Sequence, residues 1–278
     1  MNSKSMDFEP APIPEPGYRR IGRVNWIGLW TLTFKEIHRF IKVWTQTIAA
    51  PTITTCLFMA IFVWALGGTG RTPAGVALSD FLAPGLMIMA VLQNAYQNPT
   101  SSILIAKVSG SIVDVLMPPL SAGELTLGYV IGGVVRGVSV GAALWVAFWL
   151  WPDVAIKPIH WWAVIYYLIA AATFMSLFGI LTAVWAEKFD HAAAINNFVV
   201  APLTLLSGTF YTIDRLPEVL QSGAAYNPFF YLIDGFRYGF IGRADSDLMI
   251  GVILTMALNV VLWLAAYHVF KTGYRLKP

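Results

Sequence analysis

The sequence predicts an all-α integral membrane protein, with six transmembrane helices preceded by an amphipathic helix at the membrane surface. Three observations carry that expectation. Of the 278 residues, 57% are hydrophobic and only 12% charged, at a mean hydropathy of +0.66, whereas soluble domains carry about 25% charged residues. Six stretches approach the about 20 apolar residues that a helix needs to cross a hydrocarbon core of about 30 Å. The 11 Trp, 11 Tyr and 17 Phe supply aromatic belts for two bilayer interfaces.

Residues 1–20 form a proline-rich tail in which Pro10, Pro12, Pro14 and Pro16 alternate with other residues, near Asp7, Glu9 and Glu15. Alternating prolines remove helix donors, so the tail is expected to be disordered or extended, leaving 21–278 as one transmembrane domain. It does not read as a signal peptide, because the first apolar span begins beyond residue 45. From Trp26 to Trp44 the apolar residues Leu29, Leu32, Thr33, Ile37, Phe40, Ile41 and Trp44 recur at three- and four-residue steps. Lys35, Glu36, Arg39 and Lys42 fall mostly elsewhere on the wheel. That pattern predicts an amphipathic helix in the headgroup region, basic on one side and Trp-anchored at both ends.

The six spans fall at about 47–66, 81–99, 126–150, 161–185, 192–211 and 248–270. Gln93, Asn94, Gln97 and Asn98 crowd the far end of the second, and Pro202 interrupts the fifth. Arg136 lies near the middle of the third, where a charge costs at least about 2.5–3.5 kcal/mol without water or a partner. It should face the interior, against Gln93, Asn94 or Gln97 of the second span, or against substrate. Gly132, Gly133, Gly137 and Gly141 give the third span small-residue faces for close packing, within the subunit or between two copies. The lone Cys56 reads as a small buried hydrophobe.

Placing the N-terminus inside puts twelve Lys and Arg on the cytoplasmic side and five outside, with Arg136 within a span. Positive residues mark the cytoplasmic side, so both termini are expected there. The chain has no GxxxxGK[ST] phosphate loop and no HExxH or GxSxG motif. His38, His160, His191 and His268 are scattered, and the spans lack the paired acids or histidines an intramembrane enzyme needs. Neither a catalytic residue nor a metal ligand is expected.

Between the second and third spans lies "VSGSIVDVLMPPLSAGEL", residues 108–125. Val108, Ile112, Val115 and Leu116 form one apolar stripe, Asp114 is the charge within the helix, and Pro118 and Pro119 stop the helix. About ten residues give a helix of about 15 Å, too short to span. With only Lys107 as a basic rim, it suits a protein groove better than a lipid surface. In the outer segment 212–247, Leu216 to Leu220 and Phe229 to Phe240 are also too short to span. Phe229, Phe230, Leu232, Ile233 and Phe236 are placed to dip into the outer leaflet, and Asp234 and Arg237, three apart, can pair. Phe58, Phe62, Trp64, Tyr96, Phe210 and Tyr211 could line a route for an amphipathic molecule or simply pack.

Two stretches carry a family resemblance. "KVSGSIVDVLMPPLSAGELTLGYVIGG" resembles the cytoplasmic loop of ABC-2 type transporter permeases. "NNFVVAPLTLLSGTFYTIDRLPEVLQSGAAYNPFFYLIDGFRYGFIG", residues 196–242, is similar to that family's fifth span and the outer segment after it. Order, spacing and span count agree over nearly all of residues 20–272. The resemblance implies that the short helix is a coupling helix seated in a separate ABC ATPase, with Ile112, Asp114, Val115, Leu116, Met117 and Pro118 as the contact. The N-terminal helix would be a second contact through Lys35, Glu36 and Arg39. It implies a pair of outer re-entrant helices, capping the pathway with Pro228, Phe229, Tyr231, Asp234 and Arg237. Phe58, Phe62, Tyr96, Arg136, Phe210 and Tyr211 become the candidate substrate pathway.

The function implied is the permease subunit of an ATP-driven exporter. It would move a lipid, glycolipid, lipid-linked polysaccharide or drug out across a bacterial inner membrane. Two copies of this chain, a homodimer in membrane lipid, would work with two ATPase subunits that bind ATP and Mg, this chain itself holding no cofactor and no nucleic acid. An ion-gradient secondary transporter would show ionisable residues or broken helices at mid-membrane in matching halves, where only Arg136 and Pro202 are on offer. A non-transporting membrane scaffold has no feature of its own in the sequence.

Overall fold

The computed structural model describes residues 22, 24–66, 75–151, 154, 156–211, 223 and 226–276. The predicted tail 1–20 and the outer stretch from Leu216 to Leu220, the first of the two expected re-entrant helices, lie outside the described residues. Among those described the chain is helical, without strands.

Helix α1 (Trp26–Ile41) starts at Asn25, whose Oδ1 accepts the Gly28 N–H at 2.9 Å, the side-chain cap an orphan helix donor requires. A π-helical turn, Thr45–Ala49, leads into α2 (Ala50–Leu66). A second π turn, Asn196–Val200, sits between α7 (Phe189–Ile195) and α8 (Ala201–Leu205). Each widened turn is followed by one alanine and then a proline, Pro51 or Pro202. A proline has no N–H for the carbonyl four residues back, and its ring crowds that carbonyl. Widening the turn absorbs both conflicts. Pro202 therefore lies within a continuous helical run, where the sequence predicts an interruption of the fifth span.

Among the described residues five helices are long and apolar enough to cross a membrane: the run Thr45–Ala65, α3 (Leu78–Val108), α5 (Ala122–Trp149), α6 (Trp161–Trp185) and α10 (Leu248–Thr272). The remaining predicted span, 192–211, coincides with the 17-residue run from α7 through α8. Between them α4 (Ile112–Leu116) follows α3, and α9 (Pro228–Ile241) precedes α10.

Helix α3 is the central element, packed by α5, α6, α9 and α2. Its polar run does not end it, because Asn94 and Asn98 turn into the bundle and are buried. One core cluster joins α3, α6 and α9 through residues such as Leu92, Val91, Tyr167, Met175 and Phe236. A second, towards the α4 end, joins Leu32, Ile103, Ile112, Tyr129, Ile180 and Phe270. Helices α2 and α10 bury least, presenting Ile53, Leu57, Ile61 and Trp64, and Ile253, Met256, Val260 and Leu264. Apolar helices with bare outer faces are what a lipid surround requires.

The small-residue faces of α5 are used within the chain. Gly137 and Gly141 admit Val91 of α3, Gly133 admits Ala95 of α3 and Ser176 of α6, and Gly128 and Gly132 admit α1.

Candidate functional site

The segment after α3 reverses at Ser109–Ser111, where Gly110 takes the left-handed φ of +74° and the two serine hydroxyls stand 2.8 Å apart. This turn takes the first residues of the expected ten-residue helix, so α4 is five residues long. Pro118 and Pro119 end it, and the next helix starts at once. Ser121 and Glu124 form a reciprocal cap, with Ser121 N–H donating to Glu124 Oε2 at 2.6 Å and Glu124 N–H to Ser121 Oγ at 3.3 Å.

The outward face of α4 is not the stripe that the periodicity offered. Ile112 is buried in the second core cluster, and Val115 and Leu116 are half-buried against it. A five-residue helix must rest its apolar side on its own bundle to hold its place. The exposed face consists of Val113, Asp114, Met117, Pro118 and Pro119, and Met117 is 76% exposed.

Beside α4, helix α1 forms the other wall of a groove of about 460 Å³, lined by Gly28, Thr31, Leu32, Lys35, Ala106, Ser111, Asp114, Val115, Pro118 and Leu120. Glu124 Oε1 accepts the Asn25 backbone N–H at 2.6 Å, and Asn25 Nδ2 donates to the Pro119 carbonyl at 3.2 Å. These bonds pin the start of α1 to the α4–α5 turn.

Of the three α1 residues expected to face a partner, only Lys35 lines this groove. Glu36 is fully buried, accepting from Ser102 Oγ at 2.6 Å and pairing with Arg39 at 3.5 Å. Arg39 donates to the Asn98 carbonyl at 2.7 Å, to Asn98 Oδ1 at 3.0 Å and to Ser101 Oγ at 3.0 Å. A carboxylate is buried at tolerable cost only when paired and hydrogen-bonded. Gly132 permits the approach, since a Cβ there would stand 2.6 Å from Glu36 Cβ. Helix α1 buries its expected apolar residues Leu29, Leu32, Thr33 and Phe40, but Glu36 is buried with them and Arg39 turns to α3, while Trp26, Trp30 and Phe34 are exposed. The missed signal was the run Asn98, Ser101 and Ser102 on α3, polar at helical spacing.

Of the predicted pathway residues, Phe58, Phe62 and Phe210 line one cavity of about 860 Å³ between α2, α3 and the end of α8, with Gln46, Met89, Gln93, Asn94 and Gln97. The Phe62 and Phe210 rings are 4.7 Å apart. Tyr96 lies outside it, buried, with its hydroxyl 3.4 Å from the Ala192 carbonyl. Tyr211 is half-buried, its hydroxyl 3.4 Å from the Leu205 carbonyl. Arg136 Nη2 donates to Asn94 Oδ1 at 3.1 Å and Gln97 Oε1 at 3.2 Å, two of the three partners the sequence named. The third, Gln93, lines the cavity instead.

At the far end, α9 is a buried strut. Pro228 opens it, Phe229 is buried, Tyr231 is half-buried, and Asn227 Nδ2 ties it to the Leu203 carbonyl at 2.9 Å. The residues expected to dip into lipid (Phe229, Phe230, Leu232, Ile233 and Phe236) are buried in protein. The expected pairing of Asp234 with Arg237 gives way to separate partners. Asp234 accepts from the Asp245 and Ser246 backbone N–H groups at 3.0 and 2.8 Å and from Ser246 Oγ at 2.6 Å. Arg237 donates to the Gly208 carbonyl and lies 4.0 Å over the Phe81 ring. Satisfying a carboxylate with local loop donors leaves the guanidinium free to stack.

Residues 28–241 match the family model described as ABC-2 type transporter. The chain is 35% identical over 252 residues to the inner membrane transport permease YadH of Escherichia coli K12, covering 91% of this chain and 98% of that protein. Nodulation protein J of Rhizobium leguminosarum biovar viciae is 25% identical over 245 residues, 84% of this chain and 89% of its own. Nodulation protein J of Neorhizobium galegae is 21% identical over 236 residues, 82% and 85% respectively.

Proposed function

The chain belongs to the ABC-2 type transporter family, and from that membership we propose that it is the membrane subunit of an ATP-driven exporter. The observation that carries the reading is the exposed end of α4 beside the α1 groove. Met117, Val113 and the two prolines form a short, firmly stopped apolar knob at the α4 end of the bundle. A separate ABC ATPase grips this knob, with Asp114 and Lys35 at the groove supplying polar contacts. The ATPase binds ATP and Mg, and two copies of each subunit make one transporter.

Closure of the ATPase pair moves α4 and α1 together, since Asn25 and Glu124 bind them to one turn, and packed helices transmit such motion. The α4 end is cytoplasmic in this reading, with both termini on that side. It is supported by basic residues gathered there: Lys107 Nζ donates to the carbonyls of Ala183, Val184 and Ala186, and Arg275 to that of Trp185. The similarity to an inner membrane permease supports the same membrane for this chain. The cavity lined by Phe58, Phe62 and Phe210 suits an amphipathic cargo: lipid, glycolipid, lipid-linked polysaccharide or drug.

The test is reconstitution in vesicles with and without the ATPase, following export of a labelled lipid extract. Export should require both the ATPase and ATP. Cargo movement driven by an ion gradient in the absence of nucleotide would overturn the reading.

A further inference from the structure

We propose that a second pocket, between α3, α5 and α7, is a subsite for the headgroup of an anionic lipid whose headgroup also carries a hydroxyl. The pocket has a volume of about 340 Å³, and its polar lining includes Arg136, Gln97, Ser101, Asn196 and Asn197, with Phe189 at the start of α7. Phe189 and Asn197 are exposed, so it opens at the surface of the bundle.

Arg136 is the centre of the inference. It lies halfway along α5 and is 93% buried, since only 7% of its surface is exposed. Its two bonds, to neutral amide oxygens, both leave from Nη2, while Nε has no acceptor. Among the described residues no carboxylate forms an ion pair with it. Arg39, by contrast, is matched by Glu36, the kind of partner that offsets the cost of a charge at this depth. Arg39 itself stands behind the pocket wall, donating to Ser101 Oγ at 3.0 Å, which adds positive potential.

The opposite wall carries the complementary demand. Asn196 gives its Nδ2 to Asn197 Oδ1 at 3.3 Å, while its own Oδ1 is buried with no donor. It opens a π turn, a distortion frequent at functional sites. Arg136, with an unused guanidinium donor, and Asn196, with an unused acceptor, thus line the same pocket, each of these atoms lying just beneath its surface. A phosphate ester answers the first in a charge-assisted bond, and a hydroxyl on the same headgroup answers the second. Acyl chains then leave past Phe189 towards the surrounding membrane.

The inference rests on the exporter reading for its biological sense, but its test needs neither ATPase nor transport. Titrate the purified chain in detergent with dihexanoyl phosphatidylglycerol, dihexanoyl phosphatidylcholine and glycerol 3-phosphate, reading affinity by calorimetry. Wild-type protein should prefer phosphatidylglycerol over phosphatidylcholine by about tenfold or more. Arg136→Gln should abolish the preference with phosphatidylcholine affinity unchanged, and Arg136→Lys should restore most of it. Should Arg136→Gln unfold, Asn196→Leu, on a half-exposed position, must lower the preference. No preference in wild type, or one that survives a folded Arg136→Gln or Asn196→Leu protein, overturns the subsite. Equal affinity for glycerol 3-phosphate overturns its assignment to a lipid. Because ATPase capture is measured separately, failure here leaves the exporter reading standing, and the reverse.

Discussion

A single carboxylate, Glu124, receives the backbone N–H of Asn25 on one oxygen and that of Ser121 on the other, both at 2.6 Å. It therefore closes the starts of α1 and α5 at once and sets the two walls of the groove beside α4. Glu124→Ala would remove the acceptor of two donors, one on half-buried Asn25 and one on exposed Ser121, a loss of about 0.5–1.5 kcal/mol for each. The variant should unfold at a lower temperature and retain less ATPase, and Glu124→Gln, which keeps one acceptor, should fall between.

Met117→Arg and Val113→Arg should leave the thermal midpoint within error of wild type while abolishing ATPase co-purification, because both side chains are exposed. Ile112→Arg should instead fail at folding, since it places a charge in the core. ATPase retention by both exposed variants would refute the docking role of α4.

The Glu36–Arg39 pair should behave as a unit. Arg39→Met strands a fully buried carboxylate and should cost towards the lower end of about 3–5 kcal/mol, because Arg39 is itself partly exposed. The double variant Glu36→Gln/Arg39→Met should be more stable than Arg39→Met alone. A double-mutant cycle in chemical denaturant measures the coupling.

Gly132→Val should push α1 off α5, because the new Cβ meets that of Glu36. Overpacking of this kind costs about 1–3 kcal/mol. Protease accessibility of the α1 segment should rise, whereas Gly110→Asn, at a left-handed position that asparagine tolerates, should leave it unchanged.

What the sequence could tell followed from which physical signals are local. Apolar run length located five of the six expected spans, and the Ser121–Glu124 spacing and Pro118–Pro119 marked where α4 stops and α5 starts. Direction was not local. Glu36 and Arg39 looked like a solvated basic face because nothing in α1 itself shows that Asn98, Ser101 and Ser102 stand opposite. Ile112 and Met117 differ little in apolarity, yet one is a foundation and the other a protrusion, a distinction made by the turn at Gly110. Arg136 was legible for a different reason: at that depth only a few polar side chains were available to meet it.

Helix α3 carries Ser102 near one end and Phe81 near the other, about 30 Å apart along a single axis. Ser102 holds α1 through Glu36, and Phe81 supports α9 through Arg237. The two mouths of the bundle are thereby mounted on one rod. A tilt imposed at the first seat must reappear at the second unless α3 flexes at Pro84 or Pro99, so those two prolines decide whether the ends move in lockstep or in turn.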